Sequence, residues 1–423
     1  MDVNLKNAYL NILKEELVPA MGCTEPIAIA YAGAKARTVL EDLPDKVIAK
    51  CSGNIIKNAR CVTIPNSGDL TGIEAGVMVG IVAGNSDKKM EVLADVDEEG
   101  VKKTKDFLKK GICTVEFLDT PIPLHIIVEV FKGKEHALVE IKYSHTNITR
   151  IEKNGELLLW EVEDEKWTQN LQDRSMLNLI GIKEFADNVP LEDIKELFDK
   201  QIKCNMDISS VGMNGKYGLG IGKVIMDSYP EGIVNKMKAC TSAASEARMG
   251  GCDLPVVINS GSGNQGITSS VPVIVYAREN GLGDEKLYRT LAFSNLLTIY
   301  QKEFIGKLSA FCGAVSAACA SGAAITYIDG GNLEEIKKTI VNTLANISGI
   351  ICDGAKVSCA AKIASSLDAA MMAHYLAMNG KTYGAYEGIL QGEAEDTISC
   401  VGHIGKEGMK ETDKEIIRIM LGE

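Results

Sequence analysis

The sequence contains no Cys-x-x-Cys pair, although it has 12 cysteines among its 423 residues. This absence disfavours zinc ribbons, thioredoxin-like redox sites and ferredoxin-type cluster loops, which all use closely spaced cysteines. The N-terminal segment also lacks a basic region followed by an apolar stretch, so we expect no export signal and a cytoplasmic protein with reduced thiols. Any metal site must therefore be assembled from cysteines that are far apart in the sequence.

Runs rich in lysine or arginine are missing too, and the formal net charge is -12. Such a protein repels a phosphate backbone, so we expect no nucleic-acid partner. Residues 308–328 carry no charge, but they consist largely of Ala, Gly, Ser and Cys rather than Leu, Ile and Phe. This composition predicts a buried helix and no membrane partner. A small-molecule substrate is the remaining expectation, and a homodimer is left open.

The length of the chain exceeds one ordinary hydrophobic core, so we expect two or three domains. Helical spacing of apolar residues covers Leu5 to Val18 and Ile27 to Leu40, short β-rich runs follow up to about Trp160, and helical periodicity returns from Met176. The predicted fold is an α+β N-terminal unit followed by a mainly α-helical C-terminal catalytic domain. The predicted divisions are an N-terminal helical segment at 1–44, an α+β domain at 45–170 and a helical domain at 171–423.

Two similar glycine-containing turns occur in the two halves of the chain. Each has an apolar run, then Asn-Ser-Gly, then Gly-Ile. Glycines in such turns let successive N–H groups point into a concavity, where a following helix N-terminus favours an anion. We expect both turns to face one cleft and bind a substrate carboxylate; the alternative is two tight connections without a ligand. The candidate residues are Asn66, Ser67 and Gly68 in the first turn and Ser260, Gly261, Ser262, Gly263, Asn264 and Gln265 in the second.

The second turn also matches Gly-x-Gly-x-x-Gly, which is found in dinucleotide-binding folds. The match is weak evidence because Pro272 interrupts the helix that should follow, and no strand ending in an acidic residue comes about 20 residues later. We therefore do not predict a nucleotide site.

Three cysteines share positions next to predicted helix ends. Cys312 lies in a small-residue helix, and Cys359 begins another helical run. Cys352 follows a helix for which Asn332 and Glu335 predict a capping box at the N-terminus. Three thiolates suit a cubane iron-sulfur cluster with one open iron, which can act as a Lewis acid. From spacing alone, simple packing of three apolar thiols remains the stronger alternative.

The sequences around these cysteines resemble the cluster-binding segments of the iron-sulfur L-serine dehydratases. The resemblance implies that Cys312, Cys352 and Cys359 hold a 4Fe-4S cluster. The Cys-Asp step of that family is retained at Cys352 and Asp353, but the following proline is Gly354, and the spacing to the third cysteine is shorter. These departures indicate a sister family.

The N-terminal half is similar to the L-cysteine desulfidases, and this resemblance extends over nearly the whole chain. Its most specific element is Gly22-Cys23-Thr24-Glu25-Pro26; the others are residues 52–58, 64–68, 145–148 and 260–268. The resemblance implies conversion of L-cysteine and water to pyruvate, ammonia and hydrogen sulfide, with a 4Fe-4S cluster that has one open iron and without pyridoxal phosphate. An iron-sulfur L-serine dehydratase, a non-catalytic cluster protein acting in redox sensing or sulfur transfer, and a cluster-free helical binding protein remain alternatives.

Cys23 and Glu25 are the candidate catalytic residues. Cys23 precedes a predicted helix start, where the macrodipole favours a thiolate, so we expect it to be the general base with a lowered pKa. Glu25 is the competing base, although an acidic residue in a first helical turn is ordinarily a capping residue. His145, Thr146 and Asn147 resemble the substrate-binding turn of the dehydratases; the alternative for them is an ordinary surface turn.

Overall fold

The computed structural model describes residues 2–161, 172–306 and 309–422. The first part of the chain alternates helices with a sheet. Its elements are α1 (Val3–Glu16), β1 (Pro19–Met21), α2 (Thr24–Leu40), β2 (Lys46–Cys51), α3 (Gly53–Ala59), α4 (Ile73–Ala83), a 3-10 helix (Ser86–Glu91), α5 (Glu98–Lys109), β3 (Cys113–Phe117), β4 (His125–Lys132), β5 (Glu135–Lys142), β6 (Ile148–Lys153) and β7 (Glu156–Trp160).

Strands β2 to β7 form a six-stranded sheet in the order β3-β2-β4-β5-β6-β7. Only the β2–β3 pair within it is parallel. One face of β2 buries Val47, Ala49 and Cys51, because successive side chains of a strand point to opposite faces. Helices α2 and α4 contribute to the same buried cluster and cover this face of the sheet. The sheet therefore supports the helix that follows the Gly-Cys-Thr-Glu-Pro segment.

The second part of the chain is almost entirely helical. Its elements are α6 (Leu179–Asn188), α7 (Leu191–Gly212), α8 (Ile221–Ser228), α9 (Ile233–Met249), β8 (Pro255–Val257), α10 (Gly263–Glu279), α11 (Asp284–Ile305), α12 (Gly313–Ile328), α13 (Leu333–Asn346), α14 (Cys359–Met378), α15 (Ala394–His403), a π-helical turn (Ile404–Gly408) and α16 (Lys410–Leu421).

A two-stranded antiparallel sheet of β1 and β8 joins the two parts, with Ala20 opposite Val256. Each strand is followed within a few residues by a predicted site segment, Cys23 after β1 and Ser260 after β8. This pairing is the reason that segments more than 230 residues apart lie side by side. In particular, Oγ1 of Thr24 lies 3.1 Å from the carbonyl oxygen of Gly261.

The fold confirms the predicted change from an α+β part to a mainly helical part. The capping box predicted at the start of α13 is present, with Asn332 and Glu335 each accepting a hydrogen bond from the other residue's backbone N–H group. The helix predicted at Leu5 to Val18 begins two residues earlier and ends two residues earlier. Among the described residues, no helix is long and apolar enough to cross a membrane.

The predicted domain divisions stay a prediction. Helix α1 packs into the large helical core, whereas α2 packs into the core against the sheet. The predicted division at residue 170 falls within 162–171, outside the described residues.

Candidate active site

A cleft of about 380 Å³ lies where the two parts of the chain meet. Its volume is in the range of small-molecule sites. Four segments form most of its wall: the start of α2, the turn between β5 and β6, the turn before α10, and the loops that carry the three cysteines. The predicted residues in this wall are Cys23, Glu25, His145, Thr146, Ser260, Gly261, Ser262, Asn264, Gln265, Cys312, Cys352 and Cys359.

Glu25 is the centre of a hydrogen-bonded group at the start of α2. Its Oε2 lies 3.1 Å from Sγ of Cys23, whose thiol donates to it, and 3.0 Å from Oγ1 of Thr24. Its Oε1 accepts a hydrogen bond from Nδ2 of Asn58 at 3.1 Å. Nε2 of His145 is 3.9 Å from the same oxygen. The carboxylate is therefore buried but surrounded by donors.

These contacts give Glu25 and Cys23 opposite charge preferences. Burial opposes ionisation of Glu25, but its interactions with the imidazole of His145 and with the Cys23 thiol outweigh burial and lower its pKa to about 2. Burial first, and then the adjacent Glu25 charge, raise the pKa of Cys23 well above its ordinary value, although Arg248 acts in the opposite direction. The expected lowering of the Cys23 pKa is therefore wrong. Cys23 is a protonated thiol at rest, and the pair holds its negative charge on Glu25.

The turn between β5 and β6 brings His145 over the start of α10. Tyr143, at the beginning of this turn, has a φ of +68°. A Cβ on Gly261 would lie 3.5 Å from Cε1 of His145, so the two turns are in van der Waals contact. Asn147 does not line the cleft with its neighbours, because its Nδ2 donates to the carbonyl oxygen of Lys142 and thereby closes the turn.

The second Asn-Ser-Gly turn lies in the cleft wall and leads into α10. Ser262 is the N-cap of this helix, and its hydroxyl accepts a hydrogen bond from the backbone N–H of Gln265. Gly263 does not line the cleft, and its lack of a side chain leaves room for Arg248. The start of α10 thus brings the amide side chains of Asn264 and Gln265 to the cleft, and anion binding by this turn stays a prediction.

The first Asn-Ser-Gly turn does not line the cleft. The hydroxyl of Ser67 donates to the carbonyl oxygen of Ile64 at 2.6 Å, and Nδ2 of Asn66 donates to that of Leu93 at 3.0 Å. A Cβ on Gly68 would meet Val101 at 2.8 Å. These polar groups are used to close the turn itself, so the expectation that both turns face one cleft is wrong for this monomer.

The three cysteines come together through a short antiparallel bridge between Phe311 and Ile351. Cys312 is the N-cap of α12, and its backbone N–H donates to the carbonyl oxygen of Ile350. The backbone N–H of Cys352 donates to the carbonyl oxygen of Ala310 at 2.6 Å. This places the thiols of Cys312 and Cys352 side by side, and Cys359, the first residue of α14, lines the same end of the cleft.

Gly354 explains why this segment departs from the Cys-Asp-Pro turn of the dehydratases. Its φ is +98°, which proline cannot adopt, and a Cβ at this position would lie 2.1 Å from the carbonyl oxygen of Lys57. The backbone then returns toward α14 within five residues, and the carbonyl oxygen of Gly354 lies 3.8 Å from Sγ of Cys359. The shorter spacing between the last two cysteines follows from this tight turn.

The surroundings of the cysteines favour negative charge. The hydrogen bond from the Cys312 thiol, together with the charges of Lys57 and Lys362, outweighs burial and lowers the pKa of Cys352 to about 5. The same hydrogen bond and burial raise the pKa of Cys312. Lys302 is buried nearby, and burial lowers its pKa to about 8. Lysines thus surround a group of thiols that carries at least one negative charge.

These residues fit an iron-sulfur cluster better than a single metal ion. Within the described residues, no group of three or more His, Cys, Asp or Glu side chains could hold one ion. A cubane, however, offers a different iron to each thiol, so its ligands surround a larger volume than the donors of one ion do. Cys312, Cys352 and Cys359 lie at one end of the cleft with cations nearby, which suits such a group; that they hold a cluster stays a prediction.

Lys57 links the cysteine region to the C-terminal helix. Its ammonium group is buried, forms an ion pair with Asp413 of α16 and lies 3.4 Å from the carbonyl oxygen of Ser309. We expect Asp413→Ala to destabilise the protein by about 3 kcal/mol, because it leaves a buried charge without its partner. The midpoint of urea denaturation measures this loss. Glu411→Ala, which removes an exposed ion pair with Lys414 on the same helix, is the control and should change the midpoint little.

Asn58, Lys302 and Arg248 are three of the site residues that were not predicted from the sequence. Asn58 donates to Glu25, Lys302 lines the cysteine end, and Arg248 lines the wall beside α10. Asn58 closes a segment that resembles the desulfidases, which was the available signal for it. Lys302 and Arg248 lie within long helices whose sequences resemble those of other core helices, so no local pattern marks them.

Comparison with known proteins identifies the family of this chain. Residues 87–418 match the model of the serine dehydratase alpha chain family. The chain belongs to this family. Its members are iron-sulfur-dependent, lyase-type enzymes, and the matched region contains all three cysteines, His145 and Arg248. Cys23 and Glu25 lie before the matched region.

Several relatives match nearly the whole chain. A UPF0597 protein of Lachnoclostridium phytofermentans is 50% identical over 97% of this chain and 99% of its own length. UPF0597 protein DSY1109 of Desulfitobacterium hafniense is 49% identical over 98% of this chain and 96% of its own length. A UPF0597 protein of Treponema denticola is 45% identical over 100% of this chain and 99% of its own length. The start of α2 is therefore part of a chain that these relatives share along nearly their full length.

Proposed function

We propose that this serine-dehydratase-like protein is an L-cysteine desulfidase, which converts L-cysteine and water to pyruvate, ammonia and hydrogen sulfide. The observation that supports the proposal most strongly is that the Cys23–Glu25 pair and three cluster-type cysteines line one small cleft. A β-elimination needs both functions, a base for the Cα proton and a group that assists departure from Cβ. The resemblance to the desulfidases motivates the choice of sulfide as the leaving group.

Cys312, Cys352 and Cys359 would hold a 4Fe-4S cluster with one open iron. When bound, such a cluster supplies a Lewis acid that makes the sulfur of the substrate a better leaving group. The nearby Lys57, Lys302 and Lys362 offset the negative charge of the thiolates.

The Cys23–Glu25 pair would move the Cα proton. Glu25 holds the negative charge at rest, and the thiol of Cys23 donates a hydrogen bond to it. We assign the role of proton acceptor to Glu25, either directly or through the thiol of Cys23, and His145 and Asn58 keep the carboxylate in place. Loss of the Cα proton and cleavage of the C–S bond leave aminoacrylate and sulfide. Aminoacrylate then tautomerises to an imine, which water hydrolyses to pyruvate and ammonia.

An L-serine dehydratase is the second candidate, because the matched family is that of the serine dehydratase alpha chain. The same residues would serve, with hydroxide instead of sulfide as the leaving group. A non-catalytic cluster protein for redox sensing or sulfur transfer would hold the cluster but release no pyruvate.

Anaerobic reconstitution with iron and sulfide, followed by assays with both amino acids, separates these functions. We expect pyruvate and sulfide in equal amounts from L-cysteine, with a higher kcat/KM than for pyruvate release from L-serine. Preference for L-serine would support the dehydratase instead, and bound cluster without pyruvate from either substrate would contradict both enzymes. Protein reconstituted without iron is the control for free metal and sulfide chemistry.

A further inference from the structure

Arg248 is a buried cation for which the described part of the chain supplies no acidic partner. The side chain lies near the C-terminal end of α9, is only 2% exposed, and lines the cleft. One terminal nitrogen donates to Oδ1 of Asn264 at 3.2 Å, while Nε is buried without any hydrogen-bond partner. An amide oxygen does not neutralise a guanidinium. Burying such a charge without an anion is strongly unfavourable, so a ligand anion is the natural partner.

The start of α10 adds a second positive feature at the same place. A Cβ on Gly263, the first residue of this helix, would lie 2.2 Å from Nε and 2.5 Å from Cζ of Arg248. The guanidinium therefore lies directly against the helix N-terminus, whose partial positive charge would ordinarily repel it. No acidic residue occurs in the first turn of α10 to compensate. Two positive groups that meet inside a cleft form a binding site for an anion.

The other unpartnered polar atoms of the cleft are acceptors and donors on its adjacent walls. Oε1 of Gln265 is buried and unpartnered, and its amide lies against Gly313, the residue after Cys312. Nε2 of His145 is also buried and makes no hydrogen bond, although it lies 3.9 Å from Oε1 of Glu25. Oε1 of Gln265 is an acceptor that suits an ammonium group, whereas Arg248 suits a carboxylate. The cleft thus contains a group that suits each of the two charged groups of an α-amino acid.

We propose that Arg248 and the N-terminus of α10 bind the α-carboxylate of the substrate. This proposal rests on the proposed function for the identity of the substrate, but the anion site itself needs no cluster. A guanidinium can hold a carboxylate through two parallel hydrogen bonds and so fix its orientation. Arg248 then sets specificity for substrates with a free carboxylate. It replaces the first Asn-Ser-Gly turn, which lies outside the cleft wall, as the partner of the α10 turn.

The test uses cluster-free protein and isothermal titration with pyruvate, the carboxylate product, and pyruvamide, its uncharged analogue. We expect wild type to bind pyruvate more tightly than pyruvamide. Arg248→Gln should weaken pyruvate binding by about 10- to 100-fold, the effect of losing a charge-assisted hydrogen bond. The control is Arg278→Gln, at the exposed other end of α10, which should bind as wild type does.

Several outcomes would overturn the proposal. It fails if wild type does not bind pyruvate or does not prefer it to pyruvamide, and it fails if Arg248→Gln binds pyruvate as tightly as wild type. If that variant does not fold, Arg248→Lys is used, because lysine keeps the positive charge but lacks the planar guanidinium that donates two parallel hydrogen bonds. Unchanged pyruvate binding by Arg248→Lys would exclude the bidentate contact. If pyruvate binding depends on Arg248 but the protein does not act on L-cysteine, the proposed desulfidase function is rejected and the anion site stands. If the protein acts on L-cysteine but pyruvate binding does not depend on Arg248, the anion site is rejected and the desulfidase function stands.

Discussion

Replacing Cys352 by alanine is expected to remove most bound iron and to reduce turnover of L-cysteine to background. Cys352 carries the lowered pKa of the three cysteines, at about 5, and its thiol lies beside that of Cys312. A cubane held by three cysteine thiolates keeps only two bonds to the protein when one thiolate is removed. The measurements are iron and sulfide content after anaerobic reconstitution, the visible absorption of the cluster, and pyruvate release. Equivalent replacements of Cys312 and Cys359 should behave in the same way.

The control for this experiment is Cys319→Ala. Cys319 is fully buried on α12, two helical turns after Cys312, but it does not line the cleft. Its removal should lower stability as other large-to-small core changes do, while iron content per folded protein stays at the wild-type value. If Cys352→Ala keeps its iron and its absorption while Cys319→Ala loses them, the assignment of the three ligands is wrong.

The sequence predicted those parts of the site that depend on local pattern. The capping box of α13, the N-terminal position of Cys23 and the helix-end positions of Cys312 and Cys359 all follow from neighbouring residues. The convergence of the three thiols was a hypothesis from the family resemblance. The structure brings them to one end of the cleft by means of the Phe311–Ile351 bridge, a contact between residues 40 positions apart that no local pattern shows.

Predictions that depended on the surroundings of a residue were less successful. The two Asn-Ser-Gly turns have nearly the same sequence, yet only the turn that follows β8 lines the cleft. The pairing of β1 with β8 brings that turn next to α2. Cys23 is at a helix N-terminus as expected, but burial and the charge of Glu25 outweigh the helix dipole. Arg248 was not predicted because its distinguishing feature, a buried guanidinium for which the described residues supply no acidic partner, can be seen only in the folded protein.

The second large effect is expected for Glu25→Gln, which should keep the cluster and lose turnover by about 10²- to 10⁴-fold, the usual cost of removing a general base. Glutamine retains the shape of the side chain and can still accept a hydrogen bond from Cys23. It cannot take up a proton, so exchange of the Cα hydrogen of L-cysteine with deuterated solvent should slow together with pyruvate release. Iron content and absorption should match those of wild type, which distinguishes this variant from a ligand replacement.

Cys23→Ser tests whether the proton passes through the thiol. Serine keeps a donor to Glu25 but has a much less acidic proton, so a path through Cys23 predicts slow Cα exchange in both variants. If Glu25 accepts the proton directly, Cys23→Ser should retain most of the exchange that Glu25→Gln loses. Wild-type exchange in Glu25→Gln combined with its loss in Cys23→Ser would transfer the role of base to Cys23 and contradict our assignment.

The pH dependence of stability provides a measurement of the Glu25 charge that does not depend on the reaction. The pKa of Glu25 falls from an ordinary 4.5 to about 2 on folding. A lowered folded-state pKa means that the ionised carboxylate stabilises the protein above the ordinary value, and that this contribution disappears as the pH falls toward about 2. Glu25→Gln should therefore be less stable than wild type in urea at neutral pH, and the difference should shrink as the pH falls below about 4.5. A difference that stays constant over this range would show that folding does not lower the pKa of Glu25, and would contradict the stabilisation of its ionised form by His145 and Cys23.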